Sequence, residues 1–142
     1  MKKTICACLL LLFVLTGCGA QTPEPKTGAY FLETADLSSV ENMSPFLAVD
    51  TEQKTFIFLY DMALTTLPFG SYTVEDGVLI ATTDTQQTYR FQIQDENTLV
   101  FLADGSADVQ STGGDGTTTV TDGSVFRFVE TDAGNTSSSS AS

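Results

Sequence analysis

The stretch GSYTVEDGVLIATT, Gly70 to Thr83, decides how the rest of this chain is read. Two runs rich in β-branched and aromatic residues flank Asp76-Gly77, a dipeptide whose members accept the positive φ angles that a tight hairpin turn demands. A few residues on, Tyr89-Arg90-Phe91-Gln92-Ile93-Gln94 alternates apolar and polar without a fault. Successive side chains of a strand point to opposite faces, so this period of two marks a strand with one face buried. Asp95-Glu96-Asn97 then joins FQIQ to LVFLA. Connections this short leave no room for crossover helices, so strands adjacent in sequence pair antiparallel.

The same grammar extends outward. Gly28–Glu33, Phe46–Val49, Lys54–Asp61, Ser71–Glu75, Val78–Thr82, Thr98–Ala103 and Val125–Val129 are further strand segments, with Asp50 to Gln53 as another turn. In KTFIFLYD, Phe56, Phe58 and Tyr60 share one face while Ile57 and Leu59 occupy the other, which predicts cover on both sides. The fold class is therefore all-β: a single antiparallel meander of about eight strands. A small up-and-down barrel or a strongly curled sheet is expected, since closure removes exposed edges. Thr34 to Asn42 places Leu37 and Val40 at i,i+3 and fits either a short helical turn or a loop. Leu64 to Gly70 reads as a linker, and Ala103 to Ser124 as a long Gly/Ser/Thr/Asp-rich loop, functional or disordered. Thr117 to Thr121 within it is a candidate hairpin arm. The alternation in GSYTVEDGVLIATT and TYRFQIQDENTLVFLADG resembles the repeated hairpins of small lipocalin-like barrels in bacterial lipoproteins. That resemblance is one of pattern over Gly28 to Val129; it has no diagnostic motif and transfers no catalytic residue.

The N-terminus has a separate logic. Lys2 and Lys3 precede an apolar run from Ile5 to Leu15. A membrane-spanning helix needs about 20 apolar residues, whereas this run has the length and flanks of a signal-peptide core. It ends at Leu15-Thr16-Gly17-Cys18, which resembles the lipobox of bacterial lipoproteins. What the resemblance implies is acylation of the Cys18 thiol, cleavage before it, and an extracytoplasmic, lipid-anchored protein. Gly19 after that cysteine, by the same resemblance, carries no aspartate-type inner-membrane retention signal. The expected organisation is a lipoprotein signal peptide over 1–17, lipidated cysteine and Pro-containing tether over 18–27, β domain over 28–130 and a disordered Ser-rich tail over 131–142. Pro23 and Pro25 predict a semi-rigid spacer that stands off the membrane.

Composition removes whole classes of chemistry. Cys6 and Cys8 fall in the leader, so the β domain has no disulfide, thiolate nucleophile or cysteine metal ligand. Histidine is absent, which excludes Ser-His and Cys-His triads and the commonest zinc and copper ligand. All 18 acidic residues but only four of the six basic ones lie beyond residue 17, giving the mature chain a formal charge of −14. Such a surface repels phosphate backbones and anionic lipid, so nucleic acid is not an expected partner and the membrane link is the acyl chain. A monomer without a cofactor and without enzymatic activity is expected.

Three sets of residues remain as candidates. Nine Phe and four Tyr follow residue 17, mostly at inward strand positions, where they either fill the barrel or line a calyx for an apolar ligand. Leu32, Phe46, Phe58, Tyr72 and Phe101 are the expected walls of such a calyx. Paired carboxylates at Glu75-Asp76 and Asp95-Glu96 have the residue types for glycoside hydrolysis, but they sit at turns, where Asp serves local backbone bonding. Asp104, Asp108, Asp115 and Asp122 supply oxygen ligands suited to calcium, without the spacing of a calcium loop. The expected function is a lipid-anchored binding or interaction module, with a small apolar ligand in the barrel as one option for what it binds; the alternatives are a structural envelope lipoprotein and, less favoured, a carboxylate hydrolase.

Overall fold

The computed structural model describes residues 21–33, 44–61, 64–109 and 120–130. Eight strands appear: β1 Gly28–Leu32, β2 Phe46–Asp50, β3 Thr55–Leu59, β4 Phe69–Glu75, β5 Val78–Thr83, β6 Thr88–Asp95, β7 Thr98–Leu102 and β8 Val125–Val129. Each pairs antiparallel with its sequence neighbours, and β8 returns to β1, so the sheet is a closed barrel in simple meander order. The closing register runs Ala29↔Val129, Tyr30↔Phe128, Phe31↔Arg127 and Leu32↔Phe126. Between barrel and curled sheet, it is this seam that chooses the barrel.

The turns obey local chemistry. Asp76 and Gly77 hold φ values of 50° and 75°, as a hairpin turn matched to strand twist requires. Asp50 Oδ1 accepts the backbone N–H groups of Glu52 and Gln53 at 2.9 and 3.0 Å, and Asp95 Oδ1 accepts that of Asn97 at 2.8 Å. These carboxylates therefore build turns. The segment expected to be a linker ends earlier than its composition suggested, because Phe69 and Gly70 already belong to β4. Gly70 is obligatory there: a Cβ would overlap the carbonyl oxygen of Thr82 on β5.

Alternation sorts the side chains as the period of two dictates. Tyr30, Tyr89, Phe58, Phe91, Phe101 and Phe126 are fully buried in the interior. Phe58 is the hub, with ring centroids of Tyr89, Phe91, Phe126 and Phe101 at 5.1, 5.2, 6.0 and 6.2 Å, mostly edge to face. The expected second cover on β3 is incomplete: Leu59 is buried, but Ile57 on the same outer face is 40% exposed.

The meander gives the barrel two unlike ends. Tight turns at 51–54, 76–77 and 96–97 close one end. The β3–β4 and β5–β6 connections, with the described ends of the β1–β2 and β7–β8 connections, lie at the other. The arms of the long β7–β8 loop are anchored to the barrel. Val120 is buried, Ala107 and Val109 pack on the core, and Ala107 N–H donates to the Thr88 carbonyl at 2.7 Å. The tight-turn end is crossed by the segment entering from the N-terminus, where Pro25 is buried. That part of the tether lies against the barrel and does not stand off as a spacer. The 34–42 turn, the 117–121 arm apart from its last two residues, residues 1–20 and the 131–142 tail lie outside the described residues.

Candidate functional site

Of the five residues expected to line a calyx, four point inward. Leu32, Phe58, Tyr72 and Phe101 are buried in the core, at 7% exposure or less. Phe46 is on the other face, and its assignment is corrected: β2 buries Leu47 and Val49, so the alternation turns Phe46 outward. There it packs on Phe31 of β1, with ring centroids 5.6 Å apart. The four inward residues are in contact with neighbouring rings and side chains of the core. The aromatic set works as filling.

A concave site opens at the loop-bearing end. Tyr60, the β3–β4 segment Leu64–Phe69 and the β5–β6 residues Thr83, Asp84, Thr85 and Gln87 surround a cleft of about 370 Å³. One wall is apolar, from Leu64, Leu67, Pro68 and Phe69. The facing wall offers hydroxyls, an amide and a carboxylate. This wall is held by its own turn: Gln87 N–H donates to Thr83 Oγ1 at 3.0 Å, and Gln86 N–H to the Thr83 carbonyl at 2.9 Å. Beneath it, the Tyr89 hydroxyl donates to Gln87 Oε1 at 3.3 Å. Burial, with Tyr60 beside it, pushes the Tyr89 phenol up, so it remains a neutral donor at physiological pH.

Two large apolar residues of this site face solvent, Phe69 at 52% and Leu67 at 44% exposure. Phe69 pairs across the sheet with the exposed Ile57, so the cleft continues onto an apolar strip of the outer wall. Exposed apolar surface rimmed by polar groups is a common mark of a binding region. The site is hidden in the sequence because Leu64–Gly70 carries Pro and Thr between apolar residues and so looks like a linker. The available signal was Leu67-Pro68-Phe69 itself, two large apolar residues in a connection expected to be polar.

The calcium candidates do not converge. Asp104 and Asp108 are exposed, and Asp122 Oδ1 accepts the backbone N–H of Ala103 at 2.9 Å. Asp115 lies outside the described residues, and among those described no group of three potential metal ligands comes together. The paired carboxylates Glu75-Asp76 and Asp95-Glu96 are exposed at the tight-turn end, opposite the cleft. Cys18 lies outside the described residues.

Fold and site together define a class: a small closed meander barrel with an aromatic-filled interior and a mixed apolar and polar cleft between its loops. Compared with known proteins, the chain matches no family model, no curated protein and no solved structure.

Proposed function

We propose that this chain is a lipid-anchored, extracytoplasmic binding or interaction module that meets its partner at the loop-bearing end of the barrel. The anchor reading rests on the signal-peptide pattern ending at Leu15-Thr16-Gly17-Cys18. The binding reading rests on one observation. The interior is occupied by the protein's own rings, while Phe69 and Leu67 stand exposed beside a cleft of about 370 Å³ with polar groups on its far wall. A pocket of that size falls within the range of small-molecule sites, and its mixed lining suits an amphipathic ligand or a peptide side chain.

The anchor is tested by metabolic labelling with a palmitate analogue. Wild-type protein should be labelled and sediment with membranes, and Cys18→Ala should do neither; a labelled Cys18→Ala protein refutes the anchor. The binding site is tested by native mass spectrometry of protein purified from its own host, beside Phe69→Ser. A bound molecule or partner on the wild type that is lost from Phe69→Ser supports the cleft. One retained equally by both places binding elsewhere.

The filled interior favours a second reading, a structural envelope lipoprotein without a ligand. Bare wild-type protein in the same measurement, together with an envelope phenotype that Phe69→Ser still complements, would select it.

A further inference from the structure

We propose that the segment Pro25–Thr27 is a strap that sets the barrel upright on the bilayer, with its tight-turn end against a zwitterionic lipid surface and its cleft facing away. This rests on the Cys18 anchor proposed above. The strap is built from several independent contacts. Lys26 N–H donates to the Tyr30 hydroxyl oxygen at 2.6 Å, and that hydroxyl donates to the Glu96 carbonyl at 2.7 Å. The Lys26 ammonium is 3.0 Å from Glu96 Oε1 and donates to Asn97 Oδ1 at 2.9 Å, while lying 5.6 Å from the Phe128 ring centroid. Pro25 is buried, and Thr51 N–H donates to Thr27 Oγ1 at 3.0 Å. One short segment thus fastens to the β2–β3 turn, the β6–β7 turn and β8.

Chain length turns this docking into an orientation. A ten-residue tether over 18–27, if free, would reach about 35 Å at the extended limit. Fastened from Pro25 onward at the tight-turn end, the chain leaves seven links back to Cys18, about 25 Å at the extended limit. Strands of five to eight residues, tilted as in a barrel, then put the opposite end about 15–20 Å further out. Charge does not produce this orientation. Glu24, Asp50, Glu52, Glu75, Asp76 and Asp95 crowd the tight-turn end, and anionic headgroups would repel it at low salt. The contact is held by the strap, on lipid without net charge.

The test uses the full, acylated chain in phosphatidylcholine vesicles bearing a headgroup acceptor dye. A donor is placed on Gln53→Cys at the tight-turn end or Thr66→Cys at the cleft end; the Cys18 sulfur is acylated, so the introduced thiol alone reacts. Energy transfer should be severalfold more efficient from position 53 than from position 66. Lys26→Ala with Tyr30→Phe should bring the two values together while the circular dichroism spectrum is retained. Anionic lipid at low salt should lower transfer from position 53. Equal transfer from both positions in the acylated wild type overturns the orientation and leaves the anchor intact. An unchanged contrast in the double variant shows that the strap is not its cause. Failure of the chain to float with vesicles or take up acyl label refutes the anchor and the orientation together.

Discussion

Phe58→Ala is the sharpest probe of a filled barrel. The ring is fully buried and sits at 5.1 to 6.2 Å from four core rings, with Tyr60 beside it at 5.4 Å. Truncating a buried Phe to Ala costs about 3–5 kcal/mol, from lost transfer energy and the cavity left behind. Edge-to-face pairs add about 0.5–1.5 kcal/mol beyond area burial, so the hub position belongs at the top of that range. Small domains hold a total of about 5–15 kcal/mol, so the variant should lose a third or more of its stability. A domain of this size shifts its Tm by about 4–8 °C per kcal/mol, which predicts a fall of roughly 15–30 °C. Urea unfolding of the soluble domain, followed by far-UV circular dichroism, gives the free energy directly. The denaturant slope should be unchanged, as only packing is removed. Phe69→Ala is the matched control, because its ring is half exposed, and should change stability by about 0.5 kcal/mol or less. A loss below about 1 kcal/mol for Phe58→Ala would refute the reasoning, since it would mean a hollow interior that already tolerates missing volume.

Further expectations follow from other places in the barrel. Gly70→Ala should destabilise by about 1–3 kcal/mol or more through its clash with the Thr82 carbonyl, measured by thermal melt; an unchanged Tm would show that β4 and β5 are further apart than described. The Tyr72 hydroxyl is buried with no hydrogen-bond partner among the described residues, so Tyr72→Phe should be neutral or stabilising by about 1 kcal/mol. Tyr30→Phe removes a hydroxyl that both accepts and donates and should cost about 1–2 kcal/mol; equal effects of the two substitutions would refute the distinction. Burial pushes the Tyr30 phenol up to about 12, from 10 when unfolded. Its protonated form is thus favoured by folding. That stability is complete below pH 10 and is lost as pH rises toward 12, so Tm should fall over this window and less steeply in Tyr30→Phe.

The short-range features of this protein were legible in its sequence, because they depend on neighbours along the chain. Asp76-Gly77 carries the positive φ pair its hairpin needs, Tyr89 to Gln94 alternates as β6 does, and the connections at 51–54, 76–77 and 96–97 are too short to allow anything but antiparallel neighbours. Those facts determine a meander of about eight strands and the inward set of those that alternate cleanly. Phe46 shows the limit of that method: in a five-residue strand with apolar residues on both faces, the period of two does not say which phase is inside. The tertiary structure chose Leu47 and Val49. It also decided closure, since pairing Ala29 with Val129 depends on accumulated twist and stagger over all eight strands and not on any local signal. The remaining decisions were likewise of volume and distance. Whether aromatic residues fill a barrel or wall a cavity depends on how their rings meet across it, as those around Phe58 do. Whether a Pro-rich segment is a spacer or a strap depends on where its carbonyls and cations find partners, as Lys26 does at Tyr30 and Glu96. The cleft is set at shorter range: its two walls, some 20 residues apart in the chain, meet because the β4–β5 hairpin pairs Gly70 with Thr83.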